Sequence, residues 1–180
     1  MNRYLILPVV LAAGCGRPAA DGKGEPVPDG LTTAPRAFEV VVKSAKIKPT
    51  KPDGSKWDFG TTKPDPYVRV SVMEGDKLTR HGQTKVINGS LNPVWNETVL
   101  AVDAGEWVVF HVKDKDLQFD DRIGLHLEAV TPELAEKGEV RMAFDQVEEL
   151  VVVVRKSAAV VRREEQESAA ARARDEAEAA

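Results

Sequence analysis

Carboxylates concentrate in two segments of the sequence, residues 57–67 and residues 112–124. If both segments form loops at one end of a domain, five or six carboxylates converge and repel one another unless cations neutralise them. Oxygen ligands in this number suit Ca²⁺, which accepts about 6–8 oxygens, whereas Mg²⁺ demands stricter geometry and zinc favours His or Cys. The pattern therefore predicts a calcium site, although acids on a solvated surface also serve as turn and cap residues.

Other chemistry is weakly represented in the sequence. The single cysteine excludes a disulfide framework and a Cys-based zinc cluster. We expect no enzyme, because no nucleophile–base pair lies in a plausible pocket. The net charge of −4 argues against nucleic acid as the main partner. A basic patch for anionic headgroups is conceivable, but its residues are sparse and a solvated face is the simpler interpretation. They are Arg69, Arg80, His81 and Lys85.

Short β-rich runs surround both acidic segments. Alternation such as Val108, Phe110 and Val112 is typical of a sheet with one wet face, and Gly and Pro separate the runs. Eight such runs predict an all-β fold, an eight-stranded antiparallel Greek-key β-sandwich over residues 37–156. The predicted strands are 37–46, 66–73, 82–87, 97–102, 107–113, 123–130, 139–145 and 148–155. One helical turn is predicted in Thr131–Lys137.

The first 14 residues are predicted to be a lipoprotein signal peptide. A positive residue precedes an apolar run over 4–13, which is shorter than the roughly 20 residues that span a bilayer. The stretch Leu11–Cys15 resembles the bacterial lipobox. That resemblance implies an exported lipoprotein anchored through a lipidated Cys15. Gly16 after the cysteine, rather than Asp, favours the outer membrane or cell surface over the inner membrane, by analogy with lipoprotein sorting in some bacteria. The alternative is an ordinary secretory signal followed by a free cysteine.

Two further segments flank the predicted sandwich. Residues 15–36 are rich in Gly, Pro, Ala and Asp, which predicts a flexible, disordered tether. Residues 157–180 are rich in Ala, Glu and Arg, so a helix is plausible. Beyond Val160 and Val161, however, no apolar stripe is available to dock on a core, and we expect a frayed helix or disorder.

Four motifs follow one another in the middle of the chain. They are Asp65–Val70 (DPYVRV), Gln83–Ile87 (QTKVI), Leu91–Glu97 (LNPVWNE), and Val112–Asp116 (VKDKD) followed by Asp121–Gly124 (DRIG). In this order they resemble the C2 domain, the calcium- and phospholipid-binding β-sandwich module. The family fold is an eight-stranded antiparallel sandwich, which agrees with the strand prediction.

The resemblance implies metal ligands in both acidic loops. They are Asp58 and Asp65 in one loop, and Asp114, Asp116 and Asp121 in the other. The second of these loops is about a residue shorter than is common in the family, so Asp120 could replace Asp121 as the final ligand. The number of ions stays open. Asp53 is a further possible ligand, although Lys-Pro-Asp-Gly is first of all a turn.

Large apolar residues accompany the acids in the same loops: Trp57, Phe59, Leu117 and Phe119. Exposed apolar tips beside a cation site would suit membrane docking, although Trp57 and Phe59 could instead cap the sandwich. The sequence therefore predicts a membrane-anchored module that binds Ca²⁺ and docks on phospholipid membranes in a calcium-dependent way. The alternative is a structural or protein-interaction module in which calcium only stabilises the loops or is absent.

Overall fold

The computed structural model describes residues 36–58 and 63–178. The predicted signal peptide, nearly all of the predicted tether, Cys15 and Phe59 lie outside the described residues. Within them the strands are β1 (Phe38–Ile47), β2 (Pro66–Glu74), β3 (Lys77–Gln83), β4 (Val94–Val102), β5 (Trp107–Asp114), β6 (Asp121–Ala129), β7 (Glu139–Phe144) and β8 (Val147–Lys156). The helices are α1 (Pro132–Glu136) and α2 (Ala158–Glu178).

Two four-stranded antiparallel sheets form a sandwich, with strand orders β4-β1-β8-β7 and β3-β2-β5-β6. Non-consecutive strands lie side by side in both sheets, as in a Greek key. The core is built mainly from β-branched residues on the facing sides, for example Val42 on β1, Val70 on β2 and Val152 on β8. The predicted all-β sandwich with eight strands is thus confirmed.

The third strand differs from its prediction. Residues 82–87 were predicted to pair, whereas β3 is Lys77–Gln83 and forms a hairpin with β2 through Gly75, whose φ is 58°. The strand has one large aliphatic residue, Leu78, because it lies at a sheet edge and none of its residues is fully buried. Alternation of apolar residues therefore cannot reveal it. Residues 84–87 still run along β2, since the Thr84 amide donates to the Val68 carbonyl at 3.0 Å.

Strand β6 begins two residues before its predicted start, at Asp121, and this shift affects the acidic loop. Asp121 is a strand residue, paired in register with Asp114 on β5. Strand β4 also begins earlier, at Val94. It contains the buried Trp95, whose indole Nε1 donates to the Lys85 carbonyl at 2.8 Å.

Both helices lie in segments where the sequence indicated a helix, and only the expected fraying of the second is not seen. Helix α1 is capped by the Thr131 hydroxyl, which accepts from the Leu134 amide at 3.2 Å, as expected for one helical turn. Helix α2 is continuous over 21 residues where we predicted fraying or disorder, although none of its residues is buried. Intrinsic propensity and ion pairs such as Arg163–Glu167 account for it, since packing contributes little. Among the described residues, no helix has the length and apolar character needed to cross a membrane.

Candidate metal centre

One end of the sandwich brings the two acidic loops together. In the sheet register, Pro66 at the start of β2 lies opposite Asp114 at the end of β5, and Asp114 lies opposite Asp121 on β6. The Lys115 amide donates to the Asp65 carbonyl at 3.0 Å, which joins the loops directly. The antiparallel pairing of three strands therefore positions carboxylates that are far apart in the sequence.

Three of the predicted ligands form a cluster: Asp58, Asp114 and Asp116. One carboxylate oxygen from each lies within 4.8 Å of the other two. Two oxygens on the same Ca²⁺, each about 2.3–2.6 Å from the ion, can be separated by no more than about 5 Å. The three side chains therefore lie close enough to share one ion.

Asp114 is the buried member of this cluster. Its side chain has no solvent exposure, and Oδ1 accepts from the Asp65 amide at 2.6 Å. Oδ2 is also buried and has no hydrogen-bond partner among the described residues. Burial, reinforced by the negative charges of Asp58 and Asp116, raises the pKa of Asp114 to about 6. A buried carboxylate oxygen without a donor is rare in native proteins and calls for a positive charge or a proton.

Asp65 joins the cluster from its rim. It lines the same open cleft as Asp58 and Asp116. Its Oδ1 accepts from the Gly89 amide at 2.7 Å. That hydrogen bond orients the carboxylate, and the backbone of Asp65 simultaneously holds Asp114. Asp65 therefore has a positioning role that follows from the structure, in addition to its predicted role as a ligand.

Asp120 lies in the same loop but is held by other groups. It accepts from the Tyr67 hydroxyl at 2.6 Å and from the Lys115 ammonium at 3.0 Å. These bonds, the Tyr67 bond above all, keep the pKa of Asp120 well below its usual range. Burial, together with the bond to Asp120, raises the pKa of Tyr67 to about 12. Asp120 is not one of the three clustered acids, and its contacts brace the loop instead.

Asp121 is paired with a lysine that the sequence did not single out. The Lys51 ammonium lies 2.5 Å from Asp121 Oδ2. Lys51 belongs to the turn that contains Asp53, whose carboxylate accepts from the Ser55 amide at 2.9 Å and so serves the turn, as its sequence pattern indicated. In the sequence, Lys51 is simply a lysine near Asp58. Such a lysine is too common to predict an ion pair with Asp121.

Comparison with known proteins identifies the fold family. The family model for the C2 domain matches residues 36–156. The chain belongs to the C2 domain family.

Two solved structures, one from human and one from a plant, are among those similar to the chain. Human GIVD cytosolic phospholipase A2, in complex with methyl gamma-linolenyl fluorophosphonate, matches 67% of this chain at 20% identity and a TM-score of 0.50. The match covers only 17% of the phospholipase chain. A C2 domain of plant extended synaptotagmin 1 matches 69% of this chain and 98% of its own, at 18% identity and a TM-score of 0.48.

The apolar residues of the C2 loops separate into two classes. Trp57 is only 3% exposed, and its indole Nε1 donates to the Lys48 carbonyl at 2.9 Å. Burial favours the capping interpretation of Trp57 over a membrane contact, because this large ring fills the end of the core. Leu117 is fully exposed and Phe119 is 84% exposed. Both line the cleft together with Asp58 and Asp116, so this C2 domain presents apolar side chains directly beside its acidic cluster.

A basic residue of the patch considered in the sequence analysis is bound to other groups of the C2 domain. Arg80 donates to both carboxylate oxygens of Glu106 at 2.6 Å and to the Ala101 carbonyl. These pairings favour the solvated-face interpretation over a dedicated headgroup site.

Proposed function

We propose that this C2 domain binds Ca²⁺ at the cluster of Asp58, Asp114 and Asp116 and then docks on phospholipid membranes through Leu117 and Phe119. The function is binding rather than catalysis. Calcium would supply the positive charge that three converging carboxylates require. The residues of this chain supply the oxygen donors, the loop that holds them and the apolar contact surface.

The buried Oδ2 of Asp114 carries this proposal. Its neighbours are acids, and no described group donates a hydrogen bond to it. A hard divalent cation satisfies this arrangement better than a proton at neutral pH, because it also removes the repulsion from Asp58 and Asp116. The cluster itself contains no His or Cys, the ligands that favour zinc.

Exposed Leu117 and Phe119 support the second half of the proposal. Large apolar side chains at the tip of an otherwise polar loop are costly in water and favourable at a membrane interface. Without a cation, the adjacent carboxylates repel an anionic lipid surface. Once the acids are neutralised, burial of these two side chains contributes about 1.5–3 kcal/mol each.

Calorimetric titration of the full chain with CaCl₂ tests the metal site. We expect binding by the wild type and none by the Asp114→Asn/Asp116→Asn variant. Asp76→Asn changes an exposed acid in the β2–β3 turn and serves as the matched control, which should bind like the wild type. Equal heats for the wild type and the double variant would refute the site.

Cosedimentation with phosphatidylserine-containing vesicles tests membrane docking. We expect binding in calcium and release in chelator. A Leu117→Ser/Phe119→Ser variant should bind vesicles at least about 100-fold more weakly while its calcium titration is unchanged. Vesicle binding that is the same in calcium and in chelator would contradict the proposed mechanism.

A second candidate function is a structural or protein-interaction module in which calcium only stabilises the loops. The bracing of Asp120 by Tyr67 and Lys115 favours it, because these contacts order the loop without a metal ion. Calcium binding that raises the melting temperature, without any vesicle binding, would select this second function.

We further propose that the protein is an exported bacterial lipoprotein anchored through Cys15, at the outer membrane or cell surface. The support is the lipobox-like sequence Leu11–Cys15 and a C2 match that begins only at residue 36. Mass spectrometry of the membrane-extracted protein should find a lipid-modified Cys15 at the mature N-terminus. An unmodified Cys15, or an intact signal segment, would refute the anchor.

A further inference from the structure

Lys51 places a positive charge beside the acidic cluster. Its ammonium is 2.5 Å from Asp121 Oδ2, and only about a quarter of its side chain is exposed. Its pKa is raised first by the hydrogen bond to Asp121, with further contributions from the charges of Asp121, Asp116 and Asp114. Lys51 therefore responds to the same group of carboxylates that forms the proposed metal site.

The surrounding loop fixes the position of this lysine. The Lys51 amide donates to the Ser55 carbonyl at 2.9 Å, and the Gly54 amide donates to the Lys51 carbonyl at 3.0 Å, which closes a tight turn. The ammonium also lies 5.8 Å from the centre of the Trp57 ring, within cation–π range. Trp57 is itself buried in the core. Lys51 is therefore held by hydrogen bonds of its backbone and by contacts of its ammonium group.

Asp121 is consequently not equivalent to the three clustered acids. It is paired in register with Asp114, so it borders the site, yet it is absent from the cluster whose oxygens can share one ion. Asp120 is already held by Tyr67 and Lys115, so Asp121 is the acid that we assign to a second divalent ion at this end of the domain. The Lys51 ammonium already occupies that carboxylate, and a cation placed there would also be repelled by Lys51.

We propose that Lys51 is a built-in counter-ion that holds Asp121 and limits the cleft to one divalent ion, bound by Asp58, Asp114 and Asp116. This inference rests on the proposed calcium site and sets its stoichiometry. Lys51 takes the place that a second metal ion would otherwise fill. It reduces the repulsion among the acids when calcium is low, so the loops stay in place for the single ion.

Calorimetric titration of the full chain with CaCl₂ measures the stoichiometry directly. The wild type should bind one ion and Lys51→Gln two, because that substitution frees Asp121. The double variant Lys51→Gln/Asp121→Asn should return to one ion, which would identify Asp121 as the donor for the second. Lys56→Gln removes an exposed lysine that forms no ion pair with any described residue, and this control should bind one ion.

The possible outcomes separate the two proposals. A stoichiometry of two in the wild type, or of one in both the wild type and Lys51→Gln, overturns the role of Lys51 but leaves the calcium site intact. No binding by the wild type overturns the calcium site and, with it, this inference. If Lys51→Gln does not fold, Lys51→Met provides the same test, since its apolar chain can still cover the Trp57 ring.

Discussion

Replacing Asp114 by Asn should stabilise the calcium-free protein while it abolishes calcium binding. The pKa of Asp114 is raised from 3.8 to about 6, chiefly by burial. The ionised carboxylate therefore costs the folded state free energy. Two pKa units correspond to about 3 kcal/mol, which is the upper limit of the gain at neutral pH. The amide has nearly the same shape and can still accept the hydrogen bond from the Asp65 amide.

The sign of the pH dependence follows from the same shift. Because the folded-state pKa of Asp114 lies above the unfolded value, its favourable contribution is complete below about pH 4 and is lost as the pH rises through about 6. In chelator at pH 7.5, Asp114→Asn should raise the Tm by up to about 10 °C. Near pH 4 the difference should shrink to below about 1 kcal/mol.

Thermal melts of the full chain at both pH values provide the assay. Asp76→Asn is again the matched control, and its Tm should stay within the range that corresponds to about 0.5 kcal/mol. If Asp114→Asn lowers the Tm in chelator at pH 7.5, contacts within the protein stabilise the ionised side chain, and Asp114 needs no cation. Calcium should stabilise the wild type and have no effect on the Asp114→Asn variant.

Three other predictions concern the same end of the domain. Calcium affinity should fall below about pH 6, because Asp114 must ionise and release a proton when calcium binds. Calorimetry in buffers of different ionisation enthalpy measures the proton release, and pH-independent binding would contradict the prediction. Trp57→Ala should lower the free energy of unfolding by about 3–5 kcal/mol in urea titrations. Weaker vesicle binding at unchanged stability would instead show that Trp57 contacts the membrane. Tyr67→Phe should cost about 1–3 kcal/mol, because Asp120 loses a donor; an unchanged urea midpoint would show that this bond is not stabilising.

Local patterns were sufficient for the strands that line the core. Val108, Phe110 and Val112 alternate with more exposed positions because one face of β5 packs on the opposite sheet, and burial on one face leaves a period of two in the sequence. The edge strand β3 shows no such alternation of apolar residues, since none of its residues is fully buried. Helix α2 was predicted only as a frayed helix or disorder, because its stability depends on propensity rather than on an apolar stripe.

The sequence by itself determined that the protein is a β-sandwich of the C2 type and that its acids fall in two loops. The tertiary structure decided which of those acids meet. Asp58, in the loop before β2, lies beside Asp114 at the end of β5, whereas Asp120 binds Tyr67 and Asp121 pairs with Lys51. It likewise separated the buried Trp57 from the exposed Leu117 and Phe119. Residue type and spacing along the chain record what a side chain can bind. Its distance from partners 50 or more residues away depends on register and packing, which no local pattern encodes.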